Sequence, residues 1–197
     1  MQQSINIFRV CILVFVFSGA SARNHAIPST DSLKHLHTDK ASLDSIFDAY
    51  LTRKPTPDSV VLLGKHLCSA SSALHYNIGK VRGLLLKGIG YMDHNQLDSA
   101  SDNLLKAISL AEQKMPGTLE DGLSRNFLGS VFFRMNSYSR ALTKFREATT
   151  IFRNIKNSNY LCLSLSNSGT VFGAQGDFTK ALEYYLEAQK LASEPGI

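Results

Sequence analysis

A chain of 197 residues with a net charge of +5 and three cysteines is long enough to bury roughly 70% of its unfolded surface as one continuous unit. Three cysteines make no disulfide framework, and those outside the N-terminal apolar run, Cys68 and Cys162, lack metal-ligand spacing. The positive charge collects in residues 121–160, which hold seven Lys/Arg against two Asp/Glu. The band reads as a solvated face, and nucleic acid is not expected as a partner.

Residues 1–22 read as a signal peptide. Arg9 gives a positive start, Val10 to Phe17 is an apolar run too short to span a bilayer comfortably, and Ala20-Ser21-Ala22 is a small-residue cleavage site. The mature chain would start near Arg23, with no further apolar run able to span a membrane. Residues 23–40 are polar and aperiodic and are expected to form a flexible leader.

In residues 41–76, Leu43, Ile46, Phe47 and Tyr50 predict a short amphipathic helix. Pro55 and Pro57 interrupt it, and Leu63, Leu67, Ala70 and Leu74 form a second stripe. This segment is expected to be a degenerate helical hairpin serving as an N-terminal cap.

From residue 81 to 193 one constellation recurs three times, over about 81–117, 122–157 and 162–193. Gly88, Tyr91, Ala100, Leu104 and Ala107 are followed by Gly129, Phe132, Ala141, Phe145 and Ala148, then by Gly169, Phe172, Ala181, Tyr185 and Ala188. Self-similarity at a fixed period of this length is the mark of a repeat architecture. Asn95, Asn136 and Gly176 fall at the expected turn, where asparagine and glycine tolerate the left-handed backbone that ends a helix. Asp98 and Asp177 open the second helices, where a carboxylate favours exposed N–H groups. The mid-helix glycines cost about 1 kcal/mol each against alanine, so close helix approach is the expected compensation. On each second helix the small–large–small triplet follows i, i+4, i+7 and forms one stripe. Such a hairpin cannot bury its apolar faces alone, and neighbours must stack. The fold class is therefore all-α, a right-handed superhelix (α-solenoid) of stacked antiparallel helix pairs.

These glycines, aromatics and alanines resemble the tetratricopeptide repeat family, in a long-period bacterial form. The period here is 40–41 residues, which predicts second helices longer than the family's, by roughly 9 Å for six residues. Leu84, Arg125 and Leu165 stand where the family carries an aromatic. The resemblance implies a concave groove lined by the first helices, with Arg82, Leu85, Ile89 and Met92, then Asn126, Ser130 and Phe133, then Ser166, Asn167 and Thr170 facing a bound partner. A subclass of the family grips a terminal carboxylate with Lys/Arg and Asn; here Leu85, Ile89, Phe127 and Leu163 occupy such positions and only Asn167 fits. Arg140, Lys144, Arg146 and Arg153 recur along one second helix and read as a solvated outer face.

Catalytic, cofactor-binding and metal sites are not expected. Gly83, Gly88 and Gly90 lack the Lys-Ser/Thr of a phosphate loop. His35 and His37 have no acidic or cysteine partner, and His66, His75 and His94 are isolated. The expected function is an exported, non-enzymatic scaffold, periplasmic or secreted, holding a peptide or helix of a protein partner. The alternative is a periplasmic input module of a longer bacterial sensor histidine kinase or related signalling protein. Glu194 to Ile197 offers no polar capping helix, so a homo-oligomer through the last helix is a further expectation.

Overall fold

The computed structural model describes residues 39–52 and 56–193. The signal segment, nearly all of the leader, and His35 and His37 lie outside the described residues. Within them the chain forms eight helices: α1 (Lys40–Thr52), α2 (Pro57–Ala73), α3 (Asn77–Asp93), α4 (Leu97–Lys114), α5 (Leu119–Arg134), α6 (Tyr138–Asn154), α7 (Ser158–Ala174) and α8 (Phe178–Ser193). No strand occurs among the described residues. Consecutive helices pack on one another along the chain, and the first helices α3, α5 and α7 also touch in series, which makes an α-solenoid.

The turns explain why the helices fold back so tightly. Asn95, Asn136 and Gly176 have φ of 59°, 56° and 83°, so the predicted left-handed positions are occupied. The N–H after each reaches back to a carbonyl five residues earlier: Gln96 to Tyr91 at 2.8 Å, Ser137 to Phe132 at 2.8 Å and Asp177 to Phe172 at 3.0 Å. This satisfies orphan carbonyls at the helix ends. The same turn also joins α2 to α3 at His75 and α6 to α7 at Lys156, with φ of 50° and 54°. Neither residue is a turn former by type, so composition gave no sign of them. Asp177 caps α8 as expected, accepting from the Lys180 N–H at 3.1 Å. Asp98 lies in the first turn of α4, at the positive end of the helix dipole.

Inside each repeat the predicted packing is present. A Cβ on Gly88 would stand 2.6 Å from Leu104 Cγ, one on Gly129 2.7 Å from the Phe145 ring, and one on Gly169 3.0 Å from the Tyr185 ring. Leu104 and Phe145 are buried between alanines that are buried too. The extra length of the period is not confined to the second helices, contrary to expectation. The first helices span 17, 16 and 17 residues and the second helices 18, 17 and 16. They share it because the first helices start at Asn77, Leu119 and Ser158, ahead of the repeat boundaries read from the constellation.

Upstream, Pro57 opens α2 instead of merely ending α1, its fixed φ suiting a first helical turn. The closest partner of α2 is α3. A Cβ on Gly64 would sit 2.7 Å from the Gly83 carbonyl oxygen, and one on Gly83 2.7 Å from the Cys68 nitrogen, so the two backbones touch. Leu43, Ile46 and Phe47 of α1 are buried in the same core as Leu63, Leu67, Leu85 and Ile89. Cys68 and Cys162 are half-buried and donate to the backbone carbonyls of Lys80 at 3.9 Å and Ala188 at 3.3 Å.

Candidate functional site: the first-helix wall

The wall expected to meet a partner is built by α3, α5 and α7, and side chains one repeat apart tie these helices together. Arg82 of α3 donates from Nε to Glu120 of α5 at 2.9 Å. Asn167 of α7 donates to the amide oxygen of Asn126 on α5 at 3.1 Å. Arg134, near the end of α5, donates to the Met92 carbonyl on α3. Ser130 and Thr170 turn their hydroxyls back to Asn126 and Ser166 carbonyls within their own helices, at 3.3 and 3.0 Å. Thr170 also pairs with the Tyr185 hydroxyl at 3.1 Å.

The ten expected groove residues divide into two sets. Leu85, Ile89, Met92 and Asn126 are buried in the described structure. The three apolar ones pack in the shared core, and Asn126 is 1% exposed beneath Asn167. These four hold the helices together and do not face outward; a long apolar side chain at such a position gains more from a neighbouring helix than from an open wall. Arg82, Ser130, Phe133, Ser166, Asn167 and Thr170 remain half-buried, with atoms at the surface.

Arg82 is the most heavily used of them. Its Nη1 lies 2.6 Å from Asp44 of α1, its Nη2 lies 2.8 Å from Glu120, and its guanidinium sits 4.7 Å from the Phe47 ring centroid. Asp44 also accepts from the Tyr76 hydroxyl at 2.7 Å. Burial, that bond and the Asp44 charge push the Tyr76 phenol up to about 12. Asp44, Glu120 and Tyr76 were not singled out from sequence. The signal was present: Asp44, Arg82 and Glu120 are spaced by 38 residues twice over, an acid–base–acid series close to one repeat apart.

A second ionic cluster lies behind the wall. Arg125, at the position where the other repeats carry Leu84 and Leu165, meets Asp121 at 2.9 Å, Glu147 at 2.5 Å and Glu112 at 2.6 Å. Although burial opposes its charge, these three carboxylates hold its guanidinium firmly protonated. Burial would raise Glu147, but hydrogen bonds from Lys144 and Arg125 outweigh it and set that carboxyl below its usual range. Asp121, 2% exposed, and Glu120, 6% exposed, are therefore buried carboxylates with partners, as burial of charge demands. The basic band is accordingly dispersed. Arg125 and Arg134 serve internal contacts, Arg153 pairs with Glu187 at 3.2 Å, and Arg140 lies 3.8 Å from the Phe132 ring centroid. Arg140, Arg146 and Arg153 are exposed, as an outer face requires.

Among the described residues no group of three or more His, Cys, Asp or Glu is placed to hold a metal. None of their helices is long and apolar enough to cross a membrane.

Residues 120–194 match the tetratricopeptide repeat family. The fold is that of solved structures of low sequence identity. The apo form of RapI superposes with a TM-score of 0.63 at 16% identity, over 82% of this chain and 60% of that one. BtubC (BKLC) from P. vanneervenii superposes with a TM-score of 0.58 at 15% identity, over 80% of this chain and 75% of that one. The chain thus spans less than two thirds of the length of RapI. No curated protein matches it by sequence. The family match over residues 120–194 and these superpositions agree with the three-fold constellation: the fold is an α-solenoid of stacked helix pairs, with tetratricopeptide-type repeats in that span.

Proposed function

We propose that the protein is an exported, non-enzymatic scaffold that holds a peptide or helix of a protein partner on the wall formed by α3, α5 and α7. The observation carrying this reading is the register of that wall. Arg82 with Glu120 and Asn126 with Asn167 join successive first helices one repeat apart. Beside them Ser130, Phe133, Ser166 and Thr170 are only half-buried. An array of hydroxyls, an amide and an aromatic ring suits the mixed polar and apolar demands of a bound peptide or helix. A photoreactive amino acid at Phe133 or Thr170, in living cells of the source organism, is expected to give a discrete adduct with the partner. The same group at Arg146, on the outer face, is expected to give none; equal labelling from both faces overturns the reading.

Export rests on Arg9, the apolar run Val10 to Phe17 and Ala20-Ser21-Ala22. Mass spectrometry of the protein recovered from its own cells is expected to find Arg23 at the N-terminus and the protein outside the cytoplasm, in the periplasm or medium. An uncut chain counts against it. Self-association through α8 is a second element of the reading. Phe178, Leu182 and Leu186, spaced four apart on α8, are 74%, 51% and 54% exposed. The counterparts of Phe178 and Leu182 one repeat earlier, Tyr138 and Leu142, are half-buried against the core, while that of Leu186 is the exposed Arg146. An apolar stripe of this kind is what a partner surface or second copy covers.

A further inference from the structure

The helix α1 does something that a simple end cap does not. An end cap would stack on its sequence neighbours alone. Here Asp44 and Phe47 meet Arg82 on α3, and that same guanidinium holds Glu120 on α5. Two turns of contacts fix the entry of α1 near the α2–α3 turn: Asp44 accepts from Tyr76, and the Lys40 ammonium lies 5.5 Å from the Tyr76 ring centroid. Further along α1, Tyr50 packs against the same core as Tyr160 of α7. Burial first, then the Asp48 and Glu120 carboxylates, push the phenol of Tyr160, in the first turn of α7, upward. The Tyr50 phenol is raised by burial, by Asp93 and by Tyr160. α1 thus shares one hydrophobic core with all three first helices of the wall, through Leu85, Leu123 and Leu161 among others. Its apolar side, Leu43, Ile46 and Phe47, is buried, while α2 and α3 are joined backbone to backbone without it.

We propose that α1 is an internal occupant of the first-helix wall, and that the partner it stands in for is a short amphipathic helix bearing a carboxylate beside an apolar stripe. This deepens the proposed function and rests on the first-helix wall being the binding surface. The chemistry follows from what α1 presents there. Asp44 meets the Arg82 guanidinium at 2.6 Å, whereas Asp48, one turn on, is exposed. Leu43, Ile46, Phe47 and Tyr50 follow i, i+3, i+4 and i+7 and make the apolar stripe. Arg82 supplies the cation that reads the carboxylate, and its planar fork serves Asp44 and Glu120 together. A segment of 13 residues is too short to persist as a free helix in water, so α1 keeps its form only while seated. A partner helix of the same pattern competes with it directly, and α1 sets the affinity that the partner must exceed.

The test uses the mature chain and a labelled synthetic peptide of residues 40–52 as probe. In the wild-type protein the tethered α1 outcompetes the free peptide, because the tether gives it a high effective concentration. The double variant Leu43→Ser, Phe47→Ser is expected to unseat α1 and to bind the peptide at least tenfold more tightly. A peptide carrying Asp44→Asn is expected to lose that gain. Equal, weak binding by both proteins overturns the inference. If cross-linking from Phe133 and Thr170 to a partner persists in that case, the wall reading stands and only the role of α1 falls. Should the double variant fail to fold, hydrogen exchange on the wild type decides. Amides of α1 are then expected to exchange at least tenfold faster than those of α2 and α3. Exchange at the same rate would make α1 part of one cooperative unit and overturn the inference.

Discussion

Gly129 on α5 faces the ring of Phe145 on α6 so closely that a Cβ on the glycine would stand 2.7 Å from the ring's Cδ1 and Cε1. The helix interior loses about 1 kcal/mol of propensity by carrying glycine there, and the close approach of a buried aromatic offsets it. Gly129→Leu is therefore expected to lower stability by about 3 kcal/mol through overpacking. Ala141→Trp, at a fully buried alanine of the same interface, is expected to do the same. Urea unfolding followed by circular dichroism measures both. Unchanged midpoints would contradict the helix register.

Arg125 is the cation paired with buried Asp121, whose other carboxylate oxygen accepts from the Gly117 N–H at 3.1 Å. Replacing it with leucine, the residue that the neighbouring repeats use, removes the cation and leaves a buried charge behind. A loss on the order of 3 kcal/mol is expected, with partial recovery when Asp121→Leu is added. The pair of urea titrations forms a double-mutant cycle, and strictly additive losses would show that the two side chains do not interact.

The same cluster sets an acid limit. Glu147 has a carboxyl pKa below its ordinary value in the folded chain, so the unfolded chain takes up the proton first. Its contribution is present above the ordinary carboxylate range and is lost as pH falls through the folded value. Melting temperature is expected to fall across that acidic window in the wild type and to fall less steeply in Glu147→Gln. Parallel curves would remove Glu147 from the account.

His66 gives a second pH dependence at milder pH. Burial lowers its pKa, and its Nε2 is buried without a hydrogen-bond partner. The unfolded chain therefore protonates first as pH drops below the ordinary histidine value. Stability is full above that value and declines as pH falls toward the lowered one. His66→Leu is expected to flatten the melting temperature between about pH 7 and pH 5 relative to the wild type. An identical slope in the variant would show that other groups carry the effect.

On α8, exposure makes the opposite prediction. Leu182→Lys and Leu186→Lys alter side chains that are about half exposed, so monomer stability should change by no more than about 0.5 kcal/mol. If a second copy covers this stripe, light scattering across a concentration series will show a dimer in the wild type and a monomer in the double variant. A monomer in both would end the α8 proposal.

Most of the repeat core was legible in the chain itself. Gly88, Gly129 and Gly169, the alanine stripes and the turn residues Asn95, Asn136 and Gly176 obey local rules. Helical period, side-chain size and tolerance of positive φ fix which faces pack and where the helices turn. The left-handed turns at His75 and Lys156 escaped those rules, because the surrounding helices impose a conformation that neither residue type prefers. The wall was legible only in part. Its register could be counted, but whether Leu85, Ile89, Met92 and Asn126 face outward or inward depends on how closely the neighbouring helices approach. Likewise the partnership of Arg82 with Asp44 and Glu120 joins three helices across 38 residues each way. The sequence alone determined the local elements, since these depend on neighbours within a turn or two. The tertiary structure decided which side chains remain available, because burial and ion pairing follow from distances between helices that no local spacing encodes.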